Sequence, residues 1–111
     1  MEIYDELAFL RLNNVNDSLL GAAGDIVVSV AGVNVVIAFA FRNMGVKFSI
    51  RSSSKKLKAN DLVKHLVEGY GVGGGHINMA GGFIPKDNLS ASKLLNTFIK
   101  HRAISYYEKY H

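Results

Sequence analysis

The stretch from residue 34 to residue 51 leaves this chain little freedom in how it can fold. Asn34 to Arg42 is almost continuously apolar, the pattern of a strand covered on both faces. Val35 to Phe41 is too short to cross a membrane, since a helix needs about 20 residues for that, so a buried strand is the reading that fits. Asn43-Met44-Gly45 carries turn chemistry. From Val46 to Arg51 the residues alternate, with Val46, Phe48 and Ile50 on one face and Lys47, Ser49 and Arg51 on the other. Ser49 and Arg51 therefore project together.

The remaining segments supply the layers that such a strand pair needs. Leu7 to Leu12 reads as a first strand, and Asn16, Asp17 and Ser18 offer N-cap chemistry to a helix with apolar residues at 19, 20, 23, 26, 27 and 30. After the polar link 52–56, Asn60 is expected to cap a helix that buries Leu62, Val63, Leu66 and Val67 and stops at Gly69. Gly82-Phe83-Ile84 is a short apolar stretch before Pro85. Ala91, Leu94, Leu95, Phe98, Ile99, Ala103 and Ile104 mark one stripe of a terminal helix. A chain of 111 residues that is 49% apolar suits one domain with a single core, spanning 1–111. The expected fold is α/β, with a mixed sheet of about four to five strands packed with three main helices.

Composition removes several chemistries. With no cysteine there is no disulfide, thiol nucleophile or cysteine-based metal site, and a cytoplasmic location is the default expectation. Glu2, Asp5 and Glu6 stand where a secretory leader would need a basic start, and no membrane association is expected. Seven of the 13 lysines and arginines, namely Arg42, Lys47, Arg51, Lys55, Lys56, Lys58 and Lys64, fall between positions 42 and 64 and are opposed there by Asp61 alone. That clustering suits an anionic partner such as nucleic acid, or else a solvated basic loop.

Six glycines lie between positions 71 and 82. Backbone N–H groups can converge on a phosphate where no side chains hold it off, so Gly73, Gly74 and Gly75 form a candidate anion nest. A helical turn starting near His76-Ile77 would aim its free amides at the same place. The alternative is a tight loop that needs positive φ angles. No Gly-Lys-Ser or Gly-Lys-Thr makes a P-loop, and the glycines follow a helix where a dinucleotide fingerprint follows a strand.

The string Gly73-Gly74-Gly75-His76-Ile77-Asn78-Met79-Ala80-Gly81-Gly82 resembles the GGGHxxMAGG signature of the DHH phosphoesterases, in their C-terminal DHH-associated domain. Upstream, Phe48-Ser49-Ile50-Arg51-Ser52-Ser53 resembles the second hallmark of that domain, a strand ending in Ser-x-Arg-Ser. The likeness runs in element order from about Leu7 to Pro85. It implies a substrate-binding domain of a metal-dependent phosphoesterase, in a family that includes RecJ-type exonucleases, enzymes of very short RNAs and phosphodiesterases of small nucleotides. By the same resemblance, Ser49, Arg51, Ser52, Gly73, Gly74, Gly75 and His76 bind the phosphate or sugar of the substrate. Arg51 offers forked donors to phosphate oxygens, and His76 can donate to phosphate or stack on a base.

The family's Asp-His-His is absent, so no catalytic residue, metal ligand or cofactor is assigned to this chain. The implied manganese or magnesium belongs to a catalytic DHH domain in cis, and the chain alone is expected to be inactive. Asp61 and His65 share a helical face but read as an ordinary surface pair, and His101 and His111 have less support still. Tyr106, Tyr107 and Tyr110 suit helix packing better than base stacking. The expected partners are single-stranded nucleic acid, an oligonucleotide or a nucleotide, with a homodimer left open. The competing family reading is an RNA-binding and dimerising module like the C-terminal domain of alanyl-tRNA synthetase.

Overall fold

Strand β3 (Val35–Arg42) sorts its side chains between two layers, as its unbroken apolar sequence predicts. Val35, Ile37 and Phe39 enter the larger core, while Val36, Ala38 and Ala40 sit in smaller clusters on the opposite face. The computed structural model describes residues 1–30, 32–88 and 95–110. Around β3 the chain runs β1 (Glu2–Tyr4), β2 (Leu7–Leu12), α1 (Asp17–Val28), then β4 (Gly45–Ser52), α2 (Ala59–Val67), β5 (Val72–Gly75), β6 (Met79–Pro85), a 3-10 turn (Lys86–Asn88) and α3 (Leu95–Tyr110). The strands form one sheet in the order β1-β2-β3-β4-β6-β5. Among the described residues only β2 and β3 pair in parallel, joined by the α1 crossover, and the other pairs are antiparallel.

Helix α1 covers one face, chiefly over β3 and β4, and α2 packs on β4, β6 and β5 from the other side, with α3 against α2. Between the sheet and these last two helices, Phe48, Ile50 and Ile84 meet Leu62, Leu66, Ile99 and Tyr107. Burying an aliphatic or aromatic side chain of this size contributes about 1.5–3 kcal/mol, so this face is the main source of stability.

The expected α/β architecture with a mixed sheet is present, but the sheet has six strands rather than four to five. The two additional ones lack a legible pattern. β1 is three exposed residues at one edge, and β5, Val72-Gly73-Gly74-Gly75, has almost no side chains to alternate.

Helix starts were legible only where the cap is local. Asn16 caps α1, its side chain accepting from the Leu19 amide at 2.8 Å. Asn60 does not cap α2: the N-cap is Lys58, and the Ala59 amide donates to the Ile77 carbonyl at 2.8 Å, so a distant segment supplies the missing acceptor. The stripe expected for α1 is also only partly buried. Leu20 is buried as the stripe predicts, but Leu19, Ile26 and Val30 are exposed, and the helix buries Gly21 and Gly24 beside Leu20. In α3, Ile99, Ala103 and Tyr107 are buried, with Phe98 and Ile104 packed beside them. Ala91, Leu94 and the side chain of Leu95 lie outside the described residues. Tyr107 points inward, its hydroxyl donating to Asp5 at 2.6 Å, which favours the packing role.

Candidate functional site

Alternation along β4 places Ser49 and Arg51 on the α1 side of the sheet, and the structure joins them. The Arg51 Nη1 donates to Ser49 Oγ at 2.9 Å and to the Ile50 carbonyl at 3.2 Å, while Nε donates to Asp25 of α1 at 2.6 Å. The Arg51 side chain is 14% exposed and that of Asp25 58%.

The glycine run folds differently from the helical turn expected at His76-Ile77. It is a β-hairpin: β5 pairs with β6 in the register Gly73↔Gly82, Gly74↔Gly81 and Gly75↔Ala80, and residues 76–78 make the turn. The His76 amide donates to the Met79 carbonyl at 2.7 Å. Antiparallel alternation then commits the Gly74 amide to β6 and directs those of Gly73 and Gly75 to the open edge, where β5 ends the sheet. The amides that face outward here are thus those of an edge strand, not of a helix N-terminus.

The glycines divide by face. A Cβ at Gly73 would lie 3.0 Å from Val63, and one at Gly82 2.8 Å, so this pair lets α2 approach the sheet. Gly74 and Gly81 face the α1 side, where α1 itself covers mainly β3 and β4, and a Cβ at Gly74 would meet nothing within 4 Å. Val72, on that same face, is 73% exposed. The register aligns Ser49, Gly81 and Gly74 across three strands, and beside them Arg51, Met79 and His76. The result is a bare strip of backbone with a guanidinium at one border and edge amides at the other, spanning about 10 Å at the usual strand spacing.

Arg51 and His76 share a depression with Asp25, Val28, Asn78 and Met79. His76 is exposed. Ser52 is buried, and its hydroxyl donates to the Leu57 carbonyl at 2.5 Å and accepts from the Ser54 amide, so it braces the loop instead of facing solvent. Its backbone ties the two motifs together: the Ser52 amide donates to the Asn78 carbonyl and the Asn78 side chain to the Ser52 carbonyl, both at 2.9 Å. Sequence reasoning missed Asp25 and Asn78. Asn78 sits at a variable position of the glycine signature, and nothing local to Asp25 signals its partner.

The basic stretch is less unopposed than its sequence implies. Asp17 pairs with Arg42 at 2.9 Å and lies 4.0 Å from Lys47, and Asp25 takes Arg51, so α1 brings two carboxylates to three of the seven cations. Lys55, Lys56, Lys58 and Lys64 are exposed and have no ion pair among the described residues. Among the described residues no three histidines or carboxylates converge to hold a metal ion, so the side chains present do not fit a catalytic metal site. No helix among them is long and apolar enough to cross a membrane.

The layered mixed sheet is a fold seen in solved structures. The C-Ala domain of Aquifex aeolicus alanyl-tRNA synthetase is 18% identical with a TM-score of 0.69, over 87% of this chain and 89% of that one. An exopolyphosphatase-related protein from Bacteroides fragilis is 18% identical with a TM-score of 0.71, over 95% and 31%. Thermus thermophilus RecJ is 17% identical with a TM-score of 0.67, over 96% and 15%. The chain thus spans nearly all of the first and under a third of the other two. No curated protein matches the chain. The DHHA1 domain model matches residues 5–101, and the chain belongs to that family.

Proposed function

We propose that this chain is the phosphate-binding domain of a DHH-family phosphoesterase acting on single-stranded nucleic acid, short oligonucleotides or small nucleotides. The observation that carries the reading is the bare Gly81–Gly74 strip set between Ser49–Arg51 and the edge amides of Gly73 and Gly75. A phosphodiester laid along it meets a guanidinium on one side and amide donors with His76 on the other, while the absent side chains let it approach the backbone. The span suits a phosphate with its sugar better than a lone phosphate. Matches to RecJ and to an exopolyphosphatase-related protein, each much longer than this chain, support a phosphate-bearing ligand and a separate domain that performs the hydrolysis. Positioning is the role assigned to this chain's own residues.

The test is fluorescence-anisotropy binding of labelled hexathymidylate and of the dinucleotide pApA to the 111-residue chain. Arg51→Ala and His76→Ala should each weaken at least one probe by roughly tenfold while the domain stays folded, the scale of one lost charge-assisted contact. Unchanged affinity in both variants would remove the assignment. The near-complete mutual coverage with the C-Ala domain favours a second reading, an RNA-binding module. Tighter binding to whole tRNA than to either probe would select it.

A further inference from the structure

Helix α1 turns two glycines toward the sheet beside Leu20, and what those glycines meet is Arg51. A Cβ at Gly21 would lie 2.7 Å from the Arg51 Nη2, and one at Gly24 3.1 Å from its Cγ. Glycine is unfavourable inside a helix, so two of them on the one face that covers this side chain call for a reason beyond helix formation. The next residue, Asp25, accepts from Nε at 2.6 Å, and Ser49 and the Ile50 carbonyl hold Nη1 from below. The stem and Nε are fixed by α1 and Nη1 by β4, and Nη2 has no acceptor among the described residues.

We propose that Gly21, Gly24 and Asp25 form a cradle that holds the Arg51 guanidinium ready for its phosphate contact, with Asp25 as a positioning residue. This rests on the assignment of Arg51 to ligand binding made above. An arginine free to rotate must give up rotamer freedom when it binds, and one already tied at Nε and along its stem gives up less. The sign of the effect separates this role from that of a bystander. A carboxylate that merely stands near an anionic ligand repels it, so removing its charge strengthens binding. Removing a positioning carboxylate weakens binding despite the gain in positive charge.

Two variants probe the cradle by independent routes. Asp25→Asn keeps the size and removes the charge, whereas Gly21→Ala leaves every charge in place and pushes only the flexible end of Arg51, so the fold should survive. With labelled hexathymidylate and pApA, each should weaken binding roughly fivefold when Arg51 is present and by less than about 1.5-fold in the Arg51→Ala background, since a cradle acts only through the residue it holds. A merely structural role would cost the same in both backgrounds. The Arg51 Nε–H resonance of the unliganded chain should also be slow to exchange with water in the native protein and become fast in Asp25→Asn. If Arg51→Ala weakens binding but Asp25→Asn and Gly21→Ala leave it unchanged or tighter, the cradle is overturned and the phosphate site stands. If neither probe binds, or neither responds to Arg51→Ala, the phosphate site is overturned and the cradle's role in binding goes with it.

Discussion

At the scale of single residues, neighbouring glycines of the GGGH run do different jobs, and a methyl group separates them. Gly74 has open space where a Cβ would go, so Gly74→Ala should leave stability equal or raise it by about 0.4–1 kcal/mol through the unfolded chain, while its methyl obstructs the bare strip and weakens hexathymidylate binding several-fold. Gly75 has φ +150°, and a Cβ there would lie 2.6 Å from the Ala80 Cα. That contact is with backbone, so Gly75→Ala should cost about 2 kcal/mol or more in urea denaturation. Equal stability losses in the two variants would mean that the run is structural throughout. The common face of Ser49 and Arg51 was legible because strand alternation is a local feature. Asp25 and Asn78 were not legible, since each meets its partner, Arg51 or Ser52, 26 residues away along the chain.

At the scale of elements, the α2–α3 seam holds the glycine hairpin in place from the opposite face, and one side chain stitches it. Arg102 of α3 donates to the carbonyls of His65 and Glu68 at 2.9 Å and of Leu66 at 3.3 Å, meeting acceptors that the end of α2 leaves unpaired. Its guanidinium also lies about 5 Å from the rings of Tyr70 and Phe98. Arg102→Met should therefore cost about 1–2 kcal/mol in chemical denaturation. Burial, and then the charge of Arg102, lower the pKa of His65, which packs against Tyr106. A histidine depressed in the folded state contributes stability that is complete above its ordinary pKa of about 6.5 and is lost as pH falls from there through the folded value. The melting temperature should accordingly drop on acidification through this window, and His65→Gln should flatten that part of the profile. An NMR titration placing His65 at or above 6.5 would contradict the account. The Arg102 contacts were not readable in advance, because helix-end carbonyls carry no sequence signal. What could be read was periodicity: it located the helices and placed Leu20 inward, but it missed that Gly21 and Gly24 face Arg51, because hydrophobic spacing carries no signal for a glycine set against an arginine.

At the scale of the whole molecule, the two-sided β3 and the alternating β4 already implied a sheet with helices on both faces, whereas the distribution of charge emerged only once the chain was folded. Carboxylates of α1 offset the cations nearest the sheet, leaving the positive surface to Lys55, Lys56, Lys58 and Lys64. Lys55 and Lys56 line a cleft with Glu6, Asn34 and Ser53, and Ser53 also lines the depression that contains Arg51 and His76. On the proposed phosphate site, a single strand anchored at the glycine strip would continue past Ser53 to these two lysines, whereas a dinucleotide brings fewer phosphates to reach them. Each phosphate neutralised on a single strand contributes roughly 0.7 to the slope of log K against log salt, so hexathymidylate held by Arg51 and the two lysines should give a slope of about −2. Lys55→Gln with Lys56→Gln should reduce its magnitude by about 1.4 and leave pApA binding unchanged within roughly twofold. If the double substitution instead weakens pApA as much as hexathymidylate, the lysines act on the strip through the general field of the domain. If it changes neither slope nor affinity, the strand leaves the strip in another direction.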